Sequence, residues 1–198
     1  MQNKTLTQRH IVLENAVARL EPLGPEHFEA LNTIAADREI WQFTSSRILT
    51  ADDFRLYFDL AMQERSNGLS YPFALIDSKT MQVVGCTRYG SIELKHRRLE
   101  IGWTWLDRSV RNTGFNRACK FLLLSYGFDE LELNRIELKT SALNLISQRA
   151  IEKIGGVREG FFRRHMVNPD GSVRDTVYYS LIREEWPATK ENFFADLI

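Results

Sequence analysis

Apolar and polar positions change period several times along the 198 residues, and each change marks an element. "VARLEPL" (17–23) alternates and predicts a short strand. "GPEHFEALNTIAAD" follows, with Pro25 at a helix start and Phe28, Leu31, Ile34 and Ala35 at helical spacing. A second helix is predicted after Thr50, where "TADDF" offers a capping side chain and acidic first-turn residues; Asn67-Gly68 ends it. The period then falls to two. "YPFALID" (71–77), "QVVGCTRYGSIEL" (82–94) and "RLEIGWTWL" (98–106), joined by short polar turns, predict an antiparallel meander. In the third, strict alternation puts Leu99, Ile101, Trp103 and Trp105 on one face and Arg98, Glu100, Gly102 and Thr104 on the other.

The second half opens with a long apolar helix. Phe115, Ala118, Cys119, Leu122, Leu123 and Tyr126 recur at helical spacing, and Phe121, Leu124 and Phe128 widen the stripe until little of it can face water. "RIELKTS" (135–141) reads as a strand and "NLISQRAIEKIGG" (144–156) as a short helix with Asn144 at its cap and glycines at its end. "VREGFFRRHMV" and "VRDTVYYSLI" flank the turn sequence "NPDG" (168–171) and predict a hairpin. Trp186-Pro187 then starts a C-terminal helix ending on Phe193, Phe194 and Leu197. One strand–helix–strand crossover among antiparallel runs implies an α/β (α+β) fold. Its mixed, mostly antiparallel sheet has about seven strands with helices on both faces. No repeat or linker divides residues 1–198, so one domain is expected, with 1–14 a flexible lead and 184–198 the C-terminal helix.

Composition narrows the partners. Apolar residues make up 43% and charged residues 26%, as in ordinary globular domains. Lys plus Arg and Asp plus Glu both total 26, so no global field draws nucleic acid or an anionic membrane; any anion site must be local. Cys86 and Cys119 sit in apolar runs and read as buried hydrophobes. No apolar run suits a signal peptide or a membrane span, and the chain reads as cytoplasmic. His10, His27, His96 and His165 are scattered without ligand spacing, so no metal is expected. The G-x-G-x-x-G, Walker and G-x-S-x-G patterns are missing.

The remaining candidate is the segment before the long helix, "RSVRNTGFNRACK" (108–120). A helix N-terminus leaves amides unpaired and carries partial positive charge, so a loop with Gly114 leading into one can hold an anion. Arg108, Arg111, Arg117 and Lys120 add charge around it. A plain connection with solvated arginines would look the same.

In its context, "RNTGFN" after "LEIGWTWL" resembles the pyrophosphate-binding R-x-x-G-x-G/A motif of the GNAT superfamily of N-acetyltransferases. "LKTSALNLISQRAIEKIGG" is similar to that superfamily's second motif, with Asn144, Ser147 and Lys153-x-Gly155 in order. The likeness covers roughly residues 15–183 and is nearest to the branch that acetylates N-termini of ribosomal proteins (RimJ/RimL-like), where the strand before the loop reads like Glu100-Ile101-Gly102-Trp103. The resemblance implies acetyl-CoA as cosubstrate. It implies that Arg111, Asn112, Thr113, Gly114, Phe115 and Asn116 hold the pyrophosphate. Trp103, Thr104 and Trp105 would meet the pantetheine arm by backbone, as would Asn144, and Lys153 belongs to the same motif. Two departures stand out: Asn116 replaces a glycine or alanine, and Ile151 replaces the tyrosine that many members use to protonate the leaving thiolate.

Acetyl transfer needs a neutral amine, so a carboxylate is the natural base. Glu100, just before the loop, is the leading candidate, although an exposed strand residue paired with Arg98 or another cross-strand cation would fit too; Glu159 is second. Ser147 is the candidate replacement for the missing tyrosine, against an ordinary solvated helix position. Trp41 and Phe43, between the first two helices, are candidate walls of an acceptor pocket or simply core. The expected acceptor is a protein or peptide N-terminal amine. A small-molecule amine (polyamine, amino sugar, aminoacyl conjugate, antibiotic) and a non-catalytic acyl-CoA-binding module are the alternatives. A homodimer through an edge strand or the C-terminal helix is compatible with the sequence.

Overall fold

A computed structural model describes residues 5–198. In chain order its elements are β1 (Leu13–Glu14), β2 (Ala18–Pro22), α1 (Phe28–Ala35), α2 (Ala51–Ser66), β3 (Tyr71–Asp77), β4 (Val83–Glu93) and β5 (Arg98–Leu106). Then come α3 (Phe115–Ser125), β6 (Arg135–Ser141), α4 (Leu145–Glu152), β7 (Val157–Val167), β8 (Val173–Ile182) and α5 (Trp186–Phe194). The strands form one eight-stranded sheet in the order β1-β2-β3-β4-β5-β6-β8-β7. Only β5 and β6 run parallel, across the α3 crossover.

The count is eight strands, not seven, because the expected flexible lead contributes one. Residues 1–4 lie outside the described residues, but Leu6 and Ile11 are buried and β1 pairs with β2. The Tyr71 hydroxyl fixes this segment, donating to the Arg9 carbonyl at 2.9 Å and accepting from the Ile11 amide at 3.0 Å.

Helices cover both faces. α1 and α2 lie over β3–β5, enclosing Phe28, Phe54, Phe58, Ala74, Cys86 and Trp105. α3 and the C-terminal helix cover the other face, where Tyr89, Leu99, Ile101, Leu123, Leu138 and Phe194 meet. Each fully buried large side chain contributes about 1.5–3 kcal/mol. α2 starts where expected: Thr50 Oγ1 accepts from the Asp53 amide at 3.1 Å, and Asp53 Oδ2 accepts from the Thr50 amide at 2.9 Å.

Two irregularities shape the middle of the sheet. The strict alternation expected along β5 fails at Trp103, whose φ is +52°. Cys86 pairs with Trp105 and Arg88 with Gly102, so Trp103 and Thr104 together oppose Thr87 in a bulge. The extra residue turns Trp105 onto the α1–α2 face, opposite Leu99 and Ile101, and sends Thr104 toward α3. The second irregularity is the joint with β6. Pairing there is confined to Arg98↔Arg135, Leu99↔Ile136 and Glu100↔Glu137, beyond which the strands part.

A candidate acyl-transfer site at the parted strands

The loop after β5 has the geometry of a cradle. Gly114 caps α3 at φ +89°, and a Cβ built there would meet nothing within 4 Å, so the glycine keeps both the left-handed turn and open space above it. Asn112, at φ +62°, shares that conformation. Thr113 Oγ1 donates to the Val110 carbonyl at 2.8 Å and closes the turn. The first α3 amide with a backbone acceptor is that of Ala118, on Gly114 at 3.0 Å, which leaves the amides of Asn116 and Arg117 aimed out of the helix start. Asn116 Oδ1 is buried with no partner among the described residues.

The positive charge expected around this loop is largely engaged elsewhere. Arg108 and Arg111 both bind Asp37, at 2.9 and 2.8 Å, and hold its carboxyl below the usual range; Arg117 binds Asp196. Lys120 turns inward, is 6% exposed, and donates to Thr104 Oγ1 at 2.7 Å. Burial pushes its ammonium down to about 8. The cradle therefore relies on backbone amides and the helix end more than on side-chain cations.

Beside it, the α1–α2 face of the sheet runs out from under its helices and forms a cleft. Glu100 lies on its floor, 4% exposed, the one buried carboxylate among the described residues. Of the two expected partners, Arg98 lies 3.5 Å from Glu137, and the cation that binds Glu100 is the cross-strand one. Glu100 Oε2 accepts from Lys139 Nζ of β6 at 2.8 Å and from Ser91 Oγ at 3.1 Å, while Oε1 accepts no hydrogen bond from the described residues. Alternation on β6 puts Glu137, Lys139 and Ser141 on this face, a signal present in "RIELKTS" that points to Lys139. Trp103 folds over Gly90, where a Cβ would come within 2.4 Å of the indole. Arg88, buried beside Tyr57 and Trp103, binds Glu64 at 3.0 Å.

Asn144 caps α4, accepting from the Ser147 amide at 3.0 Å. The Ser147 hydroxyl is half-buried in that first turn with no partner among the described residues. Lys153 is exposed at the other end of α4. Ile151 is buried in the core. Phe43 lies at the cleft's edge, its carbonyl accepting from Arg174 of β8 at 3.2 Å. Two sequence candidates are not brought here. Trp41 is core, packed on Trp105 and Tyr57, its indole donating to the Ala35 carbonyl at 2.8 Å. Glu159 sits at the starting end of β6, bound to Arg135 and Ser180, and its carboxyl is held down at about 2, far too acidic for a base at neutral pH. The hairpin carries it away because β7 lies outside β8, not against the opening.

The family model described as an acetyltransferase (GNAT) domain matches residues 18–157. The chain belongs to this family. The GNAT fold accounts for the parted strands and the helix-capping loop together. One relative, "Putative ribosomal N-acetyltransferase YdaF" of Bacillus subtilis, is 30% identical over 177 residues, spanning 89% of this chain and 87% of its own. A GCN5-related N-acetyltransferase from Brucella melitensis superposes with a TM-score of 0.87 at 28% identity, covering 98% of this chain and 90% of that one. A spermidine N-acetyltransferase from Vibrio cholerae, solved with CoA and spermine, shares the fold at TM-score 0.73 and 18% identity, over 87% and 99% of the two chains.

This GNAT protein is accordingly an acetyl-CoA-dependent N-acetyltransferase. Its residues suit that cosubstrate: an open glycine turn, unpaired amides at the helix start and a parted strand edge. No helix among the described residues is long and apolar enough to cross a membrane.

Proposed function

We propose that the enzyme acetylates the N-terminal amine of a protein or peptide, with Glu100 as general base. The observation that carries the reading is the buried Glu100 carboxylate, held on one oxygen by Lys139 and Ser91 with the other free beside the side-chain-less Gly102. An alkylammonium must shed a proton before it attacks, and Glu100 Oε1 is the atom that receives it. Acetyl-CoA supplies the activated acetyl group. The amides of Asn116 and Arg117, with Asn112–Phe115 around the Gly114 turn, bind its pyrophosphate. Backbone groups of Trp103–Trp105 and the Asn144 end of α4 orient its arm in the parted strands. Ser147 Oγ holds the proton for the leaving side, the place Ile151 cannot fill. Phe43 and Trp103 flank the acceptor; Trp41 supports Trp105 from within the core and does not touch it.

A polyamine acceptor fits less well. Arg88, Lys139 and Arg174 all approach the same face, and a second or third ammonium would meet their charge. A single terminal amine needs only the free Oε1 of Glu100.

The test is thiol release from acetyl-CoA with a free-amine peptide, the same peptide blocked at its N-terminus, and spermidine. Turnover is expected on the free-amine peptide alone. Glu100→Gln should lower kcat by roughly 10²–10⁴-fold while leaving acetyl-CoA binding intact. Gly114→Glu should abolish acetyl-CoA binding in a calorimetric titration. Turnover on spermidine with none on peptides would overturn the acceptor reading and keep the enzyme.

A further inference from the structure

The cations of the acceptor cleft are not equivalent. Lys139 and Arg88 each have a carboxylate partner, Glu100 and Glu64. Arg174 has none. Its Nη1 donates to the Phe43 carbonyl at 3.2 Å and its Nη2 approaches Met166 Sδ at 3.4 Å, so the guanidinium is clamped between the α1–α2 connection and β7. Its Nε is buried with no acceptor among the described residues. Desolvation by burial pulls its pKa down. That Nε is out of an anion's reach, but Nη1 and Nη2 each keep a second N–H, and a partly desolvated, pre-oriented guanidinium forms a strong charge-assisted bond through them when an anion arrives.

Register puts this group on the reacting face. Ser141 of β6 pairs with Thr176 and Lys139 with Tyr178, so Thr176 and Tyr178 share the Glu100 face; Arg174, two residues further along β8, shares it too. Glu100 and Arg174 thus stand across one cleft as a fixed negative and a fixed positive group.

We infer that Arg174 binds a carboxylate carried by the acceptor close to the amine it presents to Glu100, so that the preferred substrate is an N-terminus bearing an acidic residue in its first two positions. The inference rests on the N-terminal amine reading above and narrows it.

The experiment compares kcat/KM for four C-terminally amidated peptides: Ala-Asp-Ala-Ala, Asp-Ala-Ala-Ala, and the two with Asn in place of Asp. Each is assayed with wild type, Arg174→Gln and Arg174→Lys. Wild type should favour an Asp peptide over its Asn counterpart by roughly tenfold or more, chiefly through KM. Arg174→Gln should lose that preference, with any loss of rate from releasing the Phe43 carbonyl shared by Asp and Asn peptides alike, and circular dichroism checks that the variant folds. Arg174→Lys should restore part of it. Equal rates on Asp and Asn peptides in wild type, or a preference that survives Arg174→Gln, would overturn the inference and leave the N-terminal reading in place. No turnover on any of the four, with acetyl-CoA still bound, would overturn both.

Discussion

Lys120 shows how far a single side chain can depart from its composition-level expectation. A lysine near an anion cradle reads as surface charge, yet this one is buried and holds a threonine hydroxyl. Its folded pKa is about 8, below the usual value of 10.5. Below pH 8 the folded and unfolded states are both protonated and the burial penalty is felt in full. Between about 8 and 10.5 the unfolded chain binds the extra proton, so stability rises with pH. The gain approaches roughly 3 kcal/mol for a depression of this size. Urea titrations from pH 7 to 10.5 should show that rise in wild type and not in Lys120→Met, which should also be the more stable protein at pH 7. Glu159 gives a slope of the same sign in an acid window: its depressed carboxyl contributes stability that is present above its ordinary range and lost as pH falls toward 2. The stability difference between wild type and Glu159→Gln should therefore shrink on acidification through that window.

At the scale of elements, the pattern that was legible is the pattern set by burial. The α3 stripe, the Thr50 and Asn144 caps and the hairpin around "NPDG" follow from local periodicity and capping chemistry, and the structure has them at the expected residues. What alternation could not encode was the bulge. Nothing in "GWTWL" announces a positive φ at a tryptophan, and one extra residue inverted the facing of Thr104 and Trp105. Glu159 was misplaced for a related reason, since spacing does not tell which hairpin strand lies inside. The Gly114 turn, by contrast, was readable from the residue type. Gly114→Ala should cost about 1 kcal/mol in urea unfolding through its left-handed φ, with no clash to add, and should weaken acetyl-CoA binding more than it weakens the fold.

At the scale of the molecule, the parted strands raise a question of integrity. The two halves of the sheet share only three paired positions, from Arg98 to Glu100. On the α3 side, however, one apolar cluster runs from Leu20 and Phe73 through Leu123 to Leu138, Val177 and Phe194, crossing the joint. Continuity of that layer predicts that both halves unfold together. Circular dichroism and tryptophan emission should give coincident urea transitions; two resolved steps would mean that the joint separates independent units.

The overhanging Trp103 has an optical consequence. Of the four tryptophans, Trp41, Trp105 and Trp186 are buried while Trp103 is 37% exposed above the cleft. Iodide in solution can reach that indole and little of the others. A quenchable, red-shifted fraction of the emission should therefore belong to Trp103, vanish in Trp103→Phe and become shielded when the cleft fills. The enzyme carries its own dye, placed above the parted strands.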